Sequence, residues 1–309
     1  MDLCDLHCDT AYELWRRGEN LRRASLDITL QMIGSYRKYV QLAAFCAPSD
    51  MSDDDAYDCA LSVYDTFIRE VESCGGAVCR TAAELRAAAA SGIPSFVLTL
   101  EDARVACGDH ARLRHLFDTG VRVVTPLWGG ETVIGGSHES ESGLTPVGRE
   151  LAEECAELGI VTDISHASVR SADDMLDIAA RHGMPVIASH SCAYSVTPHS
   201  RNICDRHIRA VVQSGGIIGV NLYPPHLTGG DTATAEDVAR HIMYISDLAG
   251  DGAAALGCDF DGMDHHTAGL ENLACLGMLA DQLARDGIND EIAHKIFYEN
   301  AFNFLVNHL

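Results

Sequence analysis

The chain opens on "DLHCDT", in which His7 and Asp9 stand one residue apart. Alternate side chains of an extended segment face the same way, so these two would point together. An imidazole and a carboxylate aimed at one point are half of a metal site. The same residue types recur downstream. "PSFVLTLE" ends in Glu101, "GIVTDISH" in His166 and "PVIASH" in His190, while "GCDFDG" carries Asp259 and Asp261. Each run is short, apolar and β-branched, and reads as a strand. A lone histidine on such a run is ordinarily a core or surface residue. Three of them, each closing a separate run while carboxylates close others, are hard to obtain from core packing.

A donor set of His7, Asp9, Glu101, His166 and His190, with no cysteine among them, suits zinc or a similar divalent ion. Five ligands exceed what one tetrahedral ion with an open position needs, and suit two ions sharing a carboxylate. Glu101 is the natural bridge, with His7 and Asp9 on one ion and His166 and His190 on the other. Two such ions, roughly 3.5–4 Å apart, generate hydroxide at neutral pH and polarise a carbonyl.

These residues must be positioned by a repeating scaffold. Eight strand candidates alternate with helical patterns such as "DDDAYDCALSVYDTFIREVESCGG", "TPVGRELAEECAELG", "SADDMLDIAARHG" and "TAEDVARHIMYISDLAG". Thr145 and Pro146 read as a cap and first turn, Gly159 as a stop, and Asn289 as the cap of a closing helix over 288–309. The pattern predicts an α/β fold, a single (β/α)₈ TIM barrel over residues 1–309. In that architecture the loops after the strands build the active face. The stretch "WGGETVIGGSHESESG" reads as one such long loop rather than a domain boundary.

The 22 basic and 45 acidic residues give a formal charge of −23, which argues against nucleic acid and anionic membrane as partners. No apolar run is long enough to span a bilayer. The N-terminus shows neither a basic nor an apolar leader segment, so the 12 cysteines are expected as free thiols in a cytoplasmic protein. No C-x-x-C pair suggests a thiolate zinc knuckle.

Taken jointly, "DLHCDT", "TLEDA", "TDISHAS", "VIASHSCAYSVTPHSRN" and "GCDFDG" resemble the motifs of the membrane dipeptidase (renal dipeptidase) family, over nearly the whole chain. The resemblance implies a barrel of the metallo-dependent hydrolase type with two Zn²⁺ per chain. It also implies hydrolysis of dipeptides by a hydroxide bridging those ions, and the same five ligands. It places a substrate-binding arginine at Arg201, where a guanidinium would meet the free carboxylate of a dipeptide. It places the proton-handling carboxylate at Asp259, with Glu101 as the other catalytic group. Asp261 directly precedes Gly262 and better fits a turn. Trp128 and Tyr223 are further expected substrate contacts. Trp128 departs from the animal-type members, which carry histidine there. His138, in the following loop, could enter the site instead, although a histidine in a Gly- and Ser-rich loop is ordinarily solvated. A homodimer is compatible with the family. The rival readings are another amidohydrolase on the same barrel, an N-acyl amino acid deacylase or a lactonase, and a metal-bound binding protein without catalysis.

Overall fold

A computed structural model describes residues 1–22, 25–106 and 109–309. Its strands are β1 (Asp2–Asp5), β2 (Lys38–Phe45), β3 (Ala77–Val78), β4 (Ser95–Glu101), β5 (Val121–Thr125), β6 (Val161–Asp163), β7 (Val186–Ile187), β8 (Ile218–Val220) and β9 (Ala254–Leu256). All pair in parallel, in the order β7-β6-β5-β4-β2-β1-β9-β8, and a parallel bridge between Ala188 and Ile218 joins the two ends. β3 is a two-residue addition beside the start of β4. Eight strands therefore form a nearly closed barrel, with helices such as Thr10–Arg17, Asp53–Ser73, Pro146–Leu158, Val169–His182 and Ala235–Ala249 returning the chain between them.

The strand period of two sorts the core into two layers. In β2, Val40 and Leu42 join a buried cluster with Val97, Val123, Val161, Ile187 and Ala255 from other strands, and with Phe304 and Leu305 of the last helix. Tyr39, Ala43 and Phe45 join the cluster shared with surrounding helices, which includes Leu14, Val63 and Phe67. The first set is the barrel lumen. Glu101 follows Val97 and Thr99 at alternate positions of β4, so the lumen row ends in a carboxylate at the rim.

The joint between β7, β8 and β9 depends on missing side chains. A Cβ on Gly219 or Gly257 would lie 1.9 or 1.8 Å from the Ser189 carbonyl oxygen. Only glycine permits that approach.

The helix signals are realised in place. Thr145 Oγ accepts from the Gly148 N–H at 3.1 Å, Gly159 ends that helix in the left-handed region, and Asn289 caps Asp290–His294. The closing helical run passes through a π-helical segment at Lys295–Glu299. The strands are shorter than the apolar runs suggest. β6 stops at Asp163 and β7 at Ile187, so His166 and His190 stand on rim loops rather than in the ladder. The backbone turns left-handed at His166, Asp259 and Asp261, with φ of 67°, 64° and 66°. A non-glycine residue in that region cannot continue a strand. No helix among the described residues is long and apolar enough to cross a membrane.

Candidate metal centre

The barrel brings all five expected donors to one rim. Glu101 stands among them with each oxygen facing a different partner. Its Oε2 lies 3.8 Å from His7 Nε2, while its Oε1 lies 3.1 Å from His166 Nε2 and 3.5 Å from His190 Nε2. Asp9, just ahead of the first helix, puts Oδ2 3.6 Å from His7 Nε2. Asp259 Oδ1 is 3.8 Å from the same nitrogen. Metal bonds of about 2.0–2.1 Å in a tetrahedral array leave donors roughly 3.3–3.4 Å apart, so these spacings fit a divalent ion. The groups His7–Glu101–His190 and His7–Asp9–Asp259 are each close enough to hold one.

The hydrogen bonds behind the histidines sharpen the fit. His166 Nδ1 lies 2.9 Å from the Trp128 carbonyl oxygen, which can only accept, so Nδ1 carries the proton. His190 Nδ1 lies 2.8 Å from Ser189 Oγ, and that hydroxyl spends its own proton on Asp163. His190 Nδ1 is therefore also the donor. Both Nε2 atoms are left as bare lone pairs, and they lie 2.9 Å apart beside Glu101 Oε1. Three lone pairs converging without a hydrogen call for a cation between them. His7 Nε2 is likewise buried with no hydrogen-bond partner.

Electrostatics follow from burial. It pushes His166 and His190 well below the usual imidazole range, helped by the Arg201 charge, so both stay neutral and ready to ligate. Burial acts the same way on His7, but Glu101, Asp9 and Asp259 outweigh it and raise His7 to about 10. Burial raises the Glu101 and Asp259 carboxyls, and His7 draws both part of the way back.

The expected substrate-side residues surround these donors. Arg201 is 5% exposed, and its Nη1 has no hydrogen-bond partner among the described residues. Asp259 is held by Asn221 Nδ2, which donates to Oδ2 at 2.9 Å and leaves Oδ1 toward the centre. Asp261 is committed elsewhere. Its oxygens accept from Thr10 Oγ1 and from the Asp27 N–H, both at 2.6 Å. Tyr223 lines the cavity and donates its hydroxyl to Asp264 at 2.9 Å. Trp128 lies over the rim, with its ring centroid 6.2 Å from that of His166. His138 is partly buried. It lines the same cavity, and its Nδ1 meets Ser200 Oγ at 2.9 Å.

Several contributors escaped sequence reasoning. Asp163 accepts from Thr125 Oγ1 and from the N–H groups of Ser165 and Ser189, and so fixes the loop that carries His190. Asn221 anchors Asp259, and His199 and His226 line the cavity near Arg201. Gly262 lets two carboxylates approach the backbone, since its Cβ would fall 2.1 Å from Asp9 Oδ2 and 2.6 Å from Asp259 Oδ1. Only Gly262 carried a readable signal, as the glycine closing "GCDFDG".

An eight-stranded parallel barrel with imidazoles and carboxylates on its rim is the architecture of the metal-dependent hydrolases. Within that class, the chain belongs to the membrane dipeptidase family, peptidase family M19, whose family model matches residues 1–307. It is similar to dipeptidase tcpJ of Claviceps purpurea, with 35% identity over 199 residues, 62% of this chain and 46% of that protein. An uncharacterized protein from the pqqA 5′ region of Klebsiella pneumoniae is 28% identical over 74% of this chain and 88% of its own length. The matched segment thus spans about half the length of the fungal relative. Among solved structures, a Rhodobacter sphaeroides metallopeptidase liganded with a phosphinate mimic of L-Ala-D-Ala superposes with a TM-score of 0.91. Its identity is 26%, over 100% of this chain and 99% of that one.

Proposed function

We propose that this chain is a zinc-dependent dipeptidase that cleaves dipeptides with a free C-terminal carboxylate, using two ions that share Glu101. The observation that carries the reading is Arg201. A buried guanidinium with an unpartnered Nη1 opens onto the same cavity as the metal donors. It matches a ligand that is anionic at one end and placed at the centre a few atoms away. The rival N-acyl amino acid would satisfy Arg201 equally. It would present an uncharged amide to the opposite side of the centre, where carboxylates collect and an ammonium is better received.

Divalent ions in such a site supply Lewis acidity toward a carbonyl and make hydroxide available near neutral pH. The protein residues do the rest. Arg201 binds the carboxylate and sets the register of the peptide bond. Asp259, steadied by Asn221, holds a proton at Oδ1 and passes it to the leaving amine. Trp128 and Tyr223 close the sides. The eleven described cysteines are all unpaired, which supports the cytoplasmic reading.

The test is hydrolysis of a dipeptide panel by zinc-reconstituted protein, beside the same dipeptides amidated and the corresponding N-acetyl amino acids. Free dipeptides should be cleaved best. Removing the charge-assisted contact by Arg201→Ala should cost about 1.5–3 kcal/mol, roughly ten- to a hundredfold, mainly in KM. Equal cleavage of free and amidated dipeptides would remove the role given to Arg201.

A further inference from the structure

The cavity above the metal donors has two lobes that share Asp9, Glu101, Trp128 and Gly262. One, of about 430 Å³, contains Arg201 with His138, His199 and His226. The other, of about 370 Å³, is lined by Tyr12, Glu13, Pro48, Asp50, Asp102 and Trp128, and among the described residues no lysine, arginine or histidine lines it. Its carboxylates differ in commitment. Glu13 is tied to Arg16 at 2.6 Å and to Arg17, and Asp102 to Arg104 at 2.7 Å. Asp50 is exposed and has no ion partner among the described residues.

A dipeptide has a direction. With its carboxylate on Arg201 in the first lobe and its carbonyl at Glu101, its amino-terminal residue must enter the second. The ammonium and the side chain of that residue then face the exposed Asp50 carboxylate, beside Glu13 and Asp102 whose charges arginines already offset. Tyr12 and Trp128 add two aromatic faces to that lobe. A guanidinium stacks on such faces while its edge meets the Asp50 carboxylate, whereas an acidic side chain would be repelled by it.

We infer that the second lobe is a subsite for a cationic side chain of the guanidinium type, with Asp50 as its specificity-determining charge. Dipeptides that begin with arginine are then the preferred substrates. The inference rests on the dipeptidase reading.

The experiment compares kcat/KM of the zinc-loaded protein for Arg-Ala, Lys-Ala, Leu-Ala and Glu-Ala at one ionic strength. Arg-Ala should exceed Glu-Ala by about tenfold or more, and the gap should narrow in high salt. Asp50→Lys should reduce the Arg-Ala to Glu-Ala ratio about tenfold, a ratio taken within one variant and so independent of its active fraction. Binding gives a second readout. Free arginine should raise the melting temperature of the loaded protein more than free glutamate does. Cleavage of all four dipeptides without discrimination by charge would overturn the subsite and leave the dipeptidase reading standing. Failure to cleave any dipeptide would overturn both.

Discussion

His166 and His190 bring their Nε2 atoms to 2.9 Å of each other with no proton between them, because each ring has its single N–H turned outward. For His190 that orientation is enforced through Ser189 by Asp163. Asp163→Asn could donate to Ser189 and turn the relay around. Partners behind a ligating histidine are typically worth 10–100-fold in metal affinity, and a loss of that size is expected. Competition with a chromophoric chelator measures it. Unchanged affinity would show that the relay does not set the His190 tautomer.

Glu101→Gln should affect both ions together. An amide offers one carbonyl oxygen where the carboxylate offers two, and those two oxygens face different histidines. Metal analysis of protein purified without chelator should give about two ions per chain for the wild type. The variant should fall below one. A wild-type value near one that zinc does not raise would remove the shared centre.

Metal uptake should release protons. His7 is raised to about 10 by the surrounding carboxylates, so at pH 8 the metal-free protein carries a proton on a nitrogen that must be bare to ligate. Roughly one proton per chain should appear in weakly buffered solution on zinc addition, and zinc affinity should fall as the pH is lowered. The stability of the metal-free protein has the matching sign. A raised folded-state pKa contributes fully below the unfolded value of about 6.5, and the contribution is lost as pH rises through about 10. The melting temperature of the metal-free protein should therefore fall toward pH 10.

The glycine seam gives a prediction about folding alone. Gly257→Ala places a methyl 1.8 Å from the Ser189 carbonyl oxygen, between backbone segments that cannot both yield. Overpacking of this kind costs about 1–3 kcal/mol or more. Gly277→Ala, where nothing lies within 4 Å of the added atom, should be close to neutral. Urea unfolding of the two metal-free variants compares them directly.

Much of this was legible in the sequence, for identifiable reasons. Strand runs could be read because β-branched residues cluster, and Glu101 because it closes a largely apolar run. His166 could be read by type but not by placement, since nothing in "DISH" announces a left-handed backbone three residues beyond β6. Asp163 and Asn221 look like ordinary polar residues in strand-like runs. Their importance comes from partners distant in sequence, such as Asp259 for Asn221 at a separation of 38 residues. For His138 the sequence leaves two readings open. Its loop has solvated composition, yet Ser200, 62 residues on, holds it against the site.

Trp128 serves the centre through two chemically separate parts. Its carbonyl oxygen accepts a hydrogen bond from His166 Nδ1, whereas its side chain, on a residue 47% exposed, stands at the boundary of both lobes. Every amino acid has the same carbonyl. A lineage carrying this fold can therefore exchange the side chain at position 128, generation by generation, while the imidazole beneath keeps its anchor. The dietary range of the protein is free to drift there, and the inheritance of its metal chemistry is insulated from that drift.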